Sequence, residues 1–276
     1  MKQVAIITGA AGGMGTAIAR RLAKTRMLLL TDVDRARLDA LTAQLISEGH
    51  QAHAVSGDLA DPRVSEELAA RCTTMGALAT LVNAAGLSPA QSDWRTIIAA
   101  NIVAPEYLQR AVEPLLGDGA VGILIASVAG HLGPVDAAVQ ALLGEPLQPN
   151  LCDLLEPLLA EMIAIHGGTM EGQAYSASKR AIIRKCERHA LDWGQRGARL
   201  VSVSPGVVWT PMGQEEAANG HRAQAMADAT PMGRWGTADD VAATVEFLAS
   251  GAASYITGCD IRVDGGAVAA MRGTNF

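Results

Sequence analysis

The sequence predicts a single α/β domain built on a doubly wound parallel sheet of about seven strands. Short apolar runs recur without polar alternation, the pattern of strands covered on both faces. Helix-length amphipathic stretches separate them. The first apolar run ends in a glycine-rich turn, Thr8-Gly-Ala-Ala-Gly-Gly-Met-Gly15, which opens the first of those helices.

In chain order the strands are expected at Val4–Thr8, Met27–Thr31, Ala52–Ser56, Thr80–Val82, Val121–Ala126, Leu200–Ser204 and Asp260–Val263. Helices such as Gly15–Thr25 and Val64–Thr73 lie between them, giving the βαβ rhythm of right-handed crossovers. No repeat or low-complexity linker divides the chain, so residues 1–276 read as one domain. One stretch breaks the rhythm. Between the strand ending near Ser127 and the helix carrying Tyr175 lie roughly forty residues where a short loop would serve. Residues 131–170 therefore read as a helical insertion. Within it Leu151–Ile165 is expected to be helical, with Asn150 as N-cap and Gly167 as its stop. Leu151, Leu154, Leu155, Leu158, Leu159 and Met162 form an apolar stripe, and Pro157 should kink or split the helix. The insertion can be a packed extra helix, a substrate lid or an oligomer element; a mixture is favoured, since it opens beside Tyr175.

Composition narrows the function classes. Hydrophobic residues make up 49% of the 276, yet there are only 2 Phe, 3 Tyr and 4 Trp, so the core must be aliphatic, Ala-rich and Met-filled. A net charge of −6 argues against nucleic acid as a partner. Apolar runs such as Met27–Leu30 are too short to span a bilayer, and Met-Lys-Gln-Val at the start enters a strand without a signal-peptide pattern. Cys72, Cys152, Cys186 and Cys259 show no CxxC spacing, which suits reduced thiols in a cytoplasmic protein. The six histidines, His221 among them, lack ligand spacing, so no metal is expected.

The glycine-rich turn points to a dinucleotide. Glycines let the backbone approach a pyrophosphate, and the following helix N-terminus offers N–H groups and partial positive charge. The spacing Gly9, Gly13, Gly15 differs from GxGxxG, but its strand–turn–helix setting supports a Rossmann-type site. Asp32 ends the second strand, where a carboxylate accepts both ribose hydroxyls and repels a 2′-phosphate. No Arg or Lys occurs between Gly9 and Gly15, and Val33 follows Asp32, so NAD(H) is favoured over NADP(H).

Tyr175 and Lys179 stand four apart, on one face of a helix. A free phenol titrates near pH ~10, and a neighbouring ammonium favours its phenolate, making Tyr175 a usable acid/base.

Together these motifs resemble the short-chain dehydrogenase/reductase family over the whole chain. Asp58-Leu59 resembles the adenine-flanking pair, and Asn83-Ala84-Ala-Gly86 its Asn-Asn-Ala-Gly motif with one Asn replaced. The resemblance implies that Asn101, Ser127, Tyr175 and Lys179 are catalytic. It also implies that Gly9, Gly13, Met14 and Gly15, with Pro205, Gly206, Val208 and Thr210, contact the cofactor. Asp264-Gly-Gly266 resembles the end of the family's last strand. Pro105 lacks an N–H, so the carbonyl of Asn101 loses its helical partner. The resemblance implies a proton-relaying water there. The insertion, the stretch around Trp193, Pro231–Arg234 and the tail Met271–Phe276 narrow the resemblance to bacterial 3α-hydroxysteroid dehydrogenase/carbonyl reductases. The implied reaction is hydride transfer between NAD(H) and a secondary alcohol or ketone, bulky and apolar, with aryl, terpene or other alcohols as alternatives. A silent NAD-binding regulator is disfavoured because all four catalytic types are present. A sugar-nucleotide epimerase or dehydratase is disfavoured by the short chain.

Residues 210–234 read as a substrate loop with helical potential. Met212, Met226 and Met232 suit an adaptable apolar pocket, and Trp209 is expected to trim it beside the nicotinamide. Family members usually pair through the helices carrying Asn101 and Tyr175. The insertion next to the second helix can block that pairing, and the resemblance implies a homo-oligomer, a dimer through another face.

Overall fold

Val4 and Ile6 belong to one buried cluster, while Ala5 and Ile7 belong to the other, so the first strand feeds two cores at once. That is the consequence of period-two side chains on a strand covered on both faces. The computed structural model describes residues 2–218 and 222–273; His221 and tail residues 274–276 lie outside them. Its strands are β1 Gln3–Thr8, β2 Met27–Asp32, β3 Ala52–Ser56, β4 Ala77–Asn83, β5 Val121–Ile125, β6 Arg199–Pro205, β7 Val208–Trp209, β8 Gly236–Thr237 and β9 Asp260–Val263. The helices are α1 Gly13–Leu22, α2 Arg35–Ser47, α3 Pro62–Met75, α4 Trp94–Ile98, α5 Ala104–Val112, α6 Ala129–Leu132, α7 Ala137–Leu143, α8 Leu151–His166, α9 Met170–Gln195, α10 Pro211–Ala218, α11 Arg222–Asp228, α12 Ala238–Leu248 and α13 Ala267–Gly273.

Seven strands form one parallel sheet in the order β3-β2-β1-β4-β5-β6-β9. The chain runs outward from β1 in one direction, then crosses to β4 and runs outward in the other. The resulting switch point leaves a crevice at the carboxyl ends of β1 and β4, where such sheets bind ligands. Helices α1, α2 and α12 supply Ile18, Leu38 and Val245 to one core; α3, α5 and α9 supply Leu68, Leu108 and Ile182 to the other. Each such side chain contributes about 1.5–3 kcal/mol on burial. The scarce aromatics are mostly peripheral: Trp209 is 54% exposed and Tyr255 wholly so.

The insertion resolves into α7 and α8. Helix α8 runs unbroken through Pro157, against the expectation of a kink or split. Pro157 and Asp153 both lie on the exposed face, so water can serve the Asp153 carbonyl that loses its partner. Asn150 occupies the N-cap without a side-chain bond, and Gly167 ends the helix at φ 73°. Leu151, Leu155, Leu159 and Met162 join the core with Ala174 and Ala177 of α9, whereas Leu154 faces outward. The stripe is therefore spent largely inside the subunit.

Beneath it, Glu106 of α5 meets Lys185 of α9 at 2.6 Å, both side chains 13% exposed. Burial opposes charge on both groups, but the Lys185 ammonium and Arg110 hold the Glu106 carboxyl below its usual range. Glu106→Gln strands a buried ammonium and should cost about 3–5 kcal/mol of unfolding free energy in denaturant melts at pH 7. A carboxyl depressed in the folded state stabilises above its unfolded pKa, near ~4.3, and that contribution is lost as pH falls through the folded value. The variant should lack this acid-limb dependence; identical pH–stability curves would remove the pair from the account. Burial also pushes the thiols of Cys186 and Cys72 up, to about 12 and about 11, and all four cysteines are free. No described helix is long and apolar enough to cross a membrane.

Candidate active site

The strand ends place the expected residues along one edge of the sheet. Gly9 follows β1 with φ 61°, and a Cβ there would lie 2.8 Å from Ala85 backbone. Helix α1 begins after Gly12, whose N-cap position has no side-chain partner, and no acid sits in its first turn. Its leading N–H groups are thus left to an anion. Asp32, at the end of β2, accepts through Oδ2 from Ala11 N at 2.9 Å and through Oδ1 from Asp34 N at 3.1 Å. The carboxylate is fixed toward the glycine turn, and each oxygen keeps a lone pair. Asp58 accepts from Ala60 N at 2.9 Å and Leu59 is buried.

Where β4, β5 and β6 end, a cavity of about 730 Å³ opens. Ser127, Tyr175 and Lys179 all line it, with Met14, Ala84, Gly86, Pro205, Gly206, Val208, Thr210, Met212 and Met226. Lys179 Nζ donates to Ile125 O at 3.1 Å and sits 5.6 Å from the Tyr175 ring centroid. Ser127 Oγ accepts from Ala129 N at 3.2 Å, which leaves its own O–H able to donate to another acceptor. The short α6 that follows is tied to the sheet. His131 Nε2 meets Asp260 Oδ2 at 2.8 Å, while Asp260 Oδ1 accepts from Ser202 and Ser204 hydroxyls at 2.6 and 2.9 Å.

Asn101 stands behind the cavity rather than on its wall, 1% exposed. Its side chain clamps Leu87, accepting from Leu87 N at 2.8 Å and donating to Leu87 O at 3.1 Å, and donates to Ser178 Oγ at 3.2 Å. A π-helical turn, Ala99–Val103, stands just before Pro105, with Ala104 N reaching Ala99 O. Gly86 fits between: a Cβ there would lie 2.9 Å from Asn101 Oδ1 and 3.4 Å from Lys179 Nζ.

Some expected residues fall elsewhere. Asn83 is buried and accepts from Thr8 Oγ1 at 2.7 Å, joining two strand ends instead of lining the cavity. Trp209 packs edge-on against Trp235, centroids 5.1 Å apart, outside the cavity; β7 turns its side chain to the surface. Met232 is likewise 64% exposed. In exchange, the cavity gains Leu87, Leu132 and the end of the insertion, His166 to Thr169, together with Gln173. The Gly167 stop signal marked that segment in the sequence, but nothing local told that it folds back onto the site.

Comparisons with known proteins agree with this geometry. Residues 3–139 match the family described as short chain dehydrogenase, and residues 158–268 the one described as enoyl-(acyl carrier protein) reductase. The stretch between the two matches lies inside the insertion. The chain is 30% identical over 272 residues to the short-chain dehydrogenase/reductase bsc3 of Alternaria brassicicola, covering 98% of this chain and 97% of that one. It is 29% identical to the 3-alpha-hydroxysteroid dehydrogenase/carbonyl reductase of Comamonas testosteroni over 282 residues, 99% of each chain. A short chain dehydrogenase from Burkholderia cenocepacia, solved with NADP, has a TM-score of 0.76 at 28% identity, covering 95% of this chain and 96% of that one. The glycine turn, the shared cavity of Ser127, Tyr175 and Lys179, and these likenesses place the chain in the short-chain dehydrogenase/reductase family, a family of oxidoreductases that use a nicotinamide cofactor.

Proposed function

We propose that this protein is an NAD(H)-dependent dehydrogenase of a secondary alcohol, equally a reductase of its ketone, with a bulky apolar substrate such as a 3α-hydroxysteroid. The observation that carries it is one cavity lined by Ser127, Tyr175 and Lys179 and walled by Leu87, Leu132, Met212 and Met226. A nicotinamide dinucleotide bound along the strand ends supplies the hydride acceptor or donor. The residues present fit it: the first turn of α1 would take the pyrophosphate, Asp32 the ribose hydroxyls, and the loop from Pro205 to Thr210 the nicotinamide end.

In oxidation Tyr175, as phenolate, accepts the proton of the substrate hydroxyl; in reduction it returns that proton to the carbonyl oxygen. Lys179, held by Ile125 O, keeps an ammonium near the phenol and favours its ionised form. Ser127 donates to the substrate oxygen and stabilises charge developing there. Asn101 acts through others, holding Leu87 against the site. We read the enzyme as a cytoplasmic dimer that pairs away from α9, because α7 and α8 pack over that helix.

NAD⁺ and NADP⁺ reduction should be followed across steroid, terpene, aryl and aliphatic secondary alcohols. Activity is expected with NAD⁺ and highest on bulky apolar alcohols. Asp32→Ala removes a charged acceptor worth about 1.5–3 kcal/mol, so Kd for NADH in fluorescence titration should rise roughly tenfold to a hundredfold. A native preference for NADP⁺ would overturn the cofactor assignment.

A further inference from the structure

Helix α6 follows Ser127 directly and is only four residues long, Ala129–Leu132, too short to hold itself. Ser127 is bonded to it twice. Its Oγ accepts from Ala129 N at 3.2 Å, and its carbonyl accepts from Gly130 N at 3.0 Å. The backbone on either side belongs to the sheet, since Ala126 N donates to Val203 O and Val128 N to Pro205 O, at 2.8 and 3.0 Å. Those bonds fix the strand end, but they do not choose among the serine's staggered rotamers. The bond from Ala129 N does, so the direction of the Ser127 hydroxyl depends on where α6 sits.

Helix α6 is placed by α9 and by β9. Gly130 packs so closely on α9 that a Cβ there would lie 2.7 Å from Lys179 C and 2.8 Å from Arg180 N. From β9, Asp260 Oδ2 meets His131 Nε2 at 2.8 Å, and Arg272 of α13 donates to His131 O at 2.8 Å. A carboxylate only accepts, so the imidazole Nε2 carries the hydrogen. The Asp260 side chain is 6% exposed and that of His131 15%. Ser202 and Ser204, wholly buried, give Asp260 Oδ1 two further donors; they alternate along β6 with Val201 and Val203, which enter the other core. A charge kept this deep is a poor source of stability, since apolar side chains of similar volume do as well or better. What three short bonds to one carboxylate supply is position.

Resting on the dehydrogenase reading above, we propose that His131, held by Asp260, is a positioning residue that sets the Ser127 hydroxyl for the substrate oxygen. The tie runs from β9 through the imidazole to α6, and from Ala129 N of α6 to Ser127 Oγ. His131 does not line the cavity, so its effect on the reaction passes through α6. A displacement of about 1 Å at a group that meets the reacting atoms is worth roughly a hundredfold in rate.

The test uses the full chain and the alcohol it oxidises fastest with NAD⁺ or NADP⁺. His131→Leu, His131→Gln and Arg272→Met are each compared with Ser127 in place and with Ser127→Ala. His131→Leu should lower kcat about tenfold to a hundredfold and leave Kd for NADH within about twofold. His131→Gln, whose amide can still donate to Asp260, should return kcat to within about threefold of the unaltered enzyme. On the Ser127→Ala background the His131→Leu loss should shrink below about twofold, because the group it acts through is gone. A kcat loss of the same size on both backgrounds overturns the proposal and leaves His131 a purely structural residue. So does a folded His131→Leu with unchanged kcat, or a His131→Gln no better than His131→Leu. Should thermal melts show His131→Leu unfolded, Arg272→Met decides, since it frees the His131 carbonyl from an exposed partner and buries nothing. A kcat loss of about threefold or more that vanishes with Ser127→Ala supports the proposal; no loss, or one that persists, overturns it. Absence of turnover by the unaltered enzyme with any alcohol and either cofactor would remove the dehydrogenase reading, and this proposal with it.

Discussion

Tyr175→Phe should lower kcat by about 10²–10⁴-fold, the contribution of a positioned acid/base, while Kd for NADH stays within twofold. The substitution removes one oxygen and keeps the ring that faces Lys179 across 5.6 Å. Tyr175 is half-buried on α9, and its neighbour Ser178 donates to its backbone carbonyl at 2.8 Å. Stopped-flow turnover with an oxidisable alcohol, alongside NADH fluorescence titration and a thermal melt, separates chemistry from binding and from folding. Turnover within fivefold of the unaltered enzyme would mean that another group handles the proton.

Gly15→Ala should be nearly as damaging by a different route. A Cβ at position 15 would lie 2.0 Å from Gly9 O and 2.8 Å from Ala10 Cα, both backbone atoms with no rotamer to yield. The turn is closed on its other side too, since a Cβ on Gly9 would lie 2.8 Å from the Ala85 backbone. The turn between β1 and α1 must open, at a cost of about 1–3 kcal/mol in stability. The N–H groups proposed to face the pyrophosphate are displaced with it. Kd for NADH should rise by about a hundredfold or more, given how steeply hydrogen bonds weaken with misalignment. Unchanged NADH affinity in Gly15→Ala would place the dinucleotide elsewhere.

Much of this was legible in the chain because it is written in local pattern. Ala52–Ser56 and Asp260–Val263 appear at their expected bounds, although as the two edge strands both are only partly buried. Tyr175 and Lys179 share a helix face by their spacing, and Gly9 to Gly15 meet β1 and α1 where a strand–turn–helix must put them. The seven-stranded parallel sheet follows from those elements and the hand of their crossovers. Other expectations failed where the outcome depended on neighbours distant in sequence. Pro157 left α8 unbroken because its face is outside, and Trp209 faces Trp235 because two-residue strands β7 and β8 pair. For Asn101, marked by the resemblance and by its backbone carbonyl, the tertiary structure adds that its side chain holds Leu87.

What the sequence by itself determined is thus the set of chemical groups: a glycine turn between strand and helix, an acid at the second strand's end, and a hydroxyl, a phenol and an ammonium in order. What the tertiary structure decided is the room those groups share. The insertion's leucines pack inward onto α9, and its end, from His166 to Thr169, is brought back to the cavity with Gln173 beneath it. Periodicity specifies which face of a helix is apolar. It does not specify which distant surface that face will meet, because that depends on the shape and packing of the whole core.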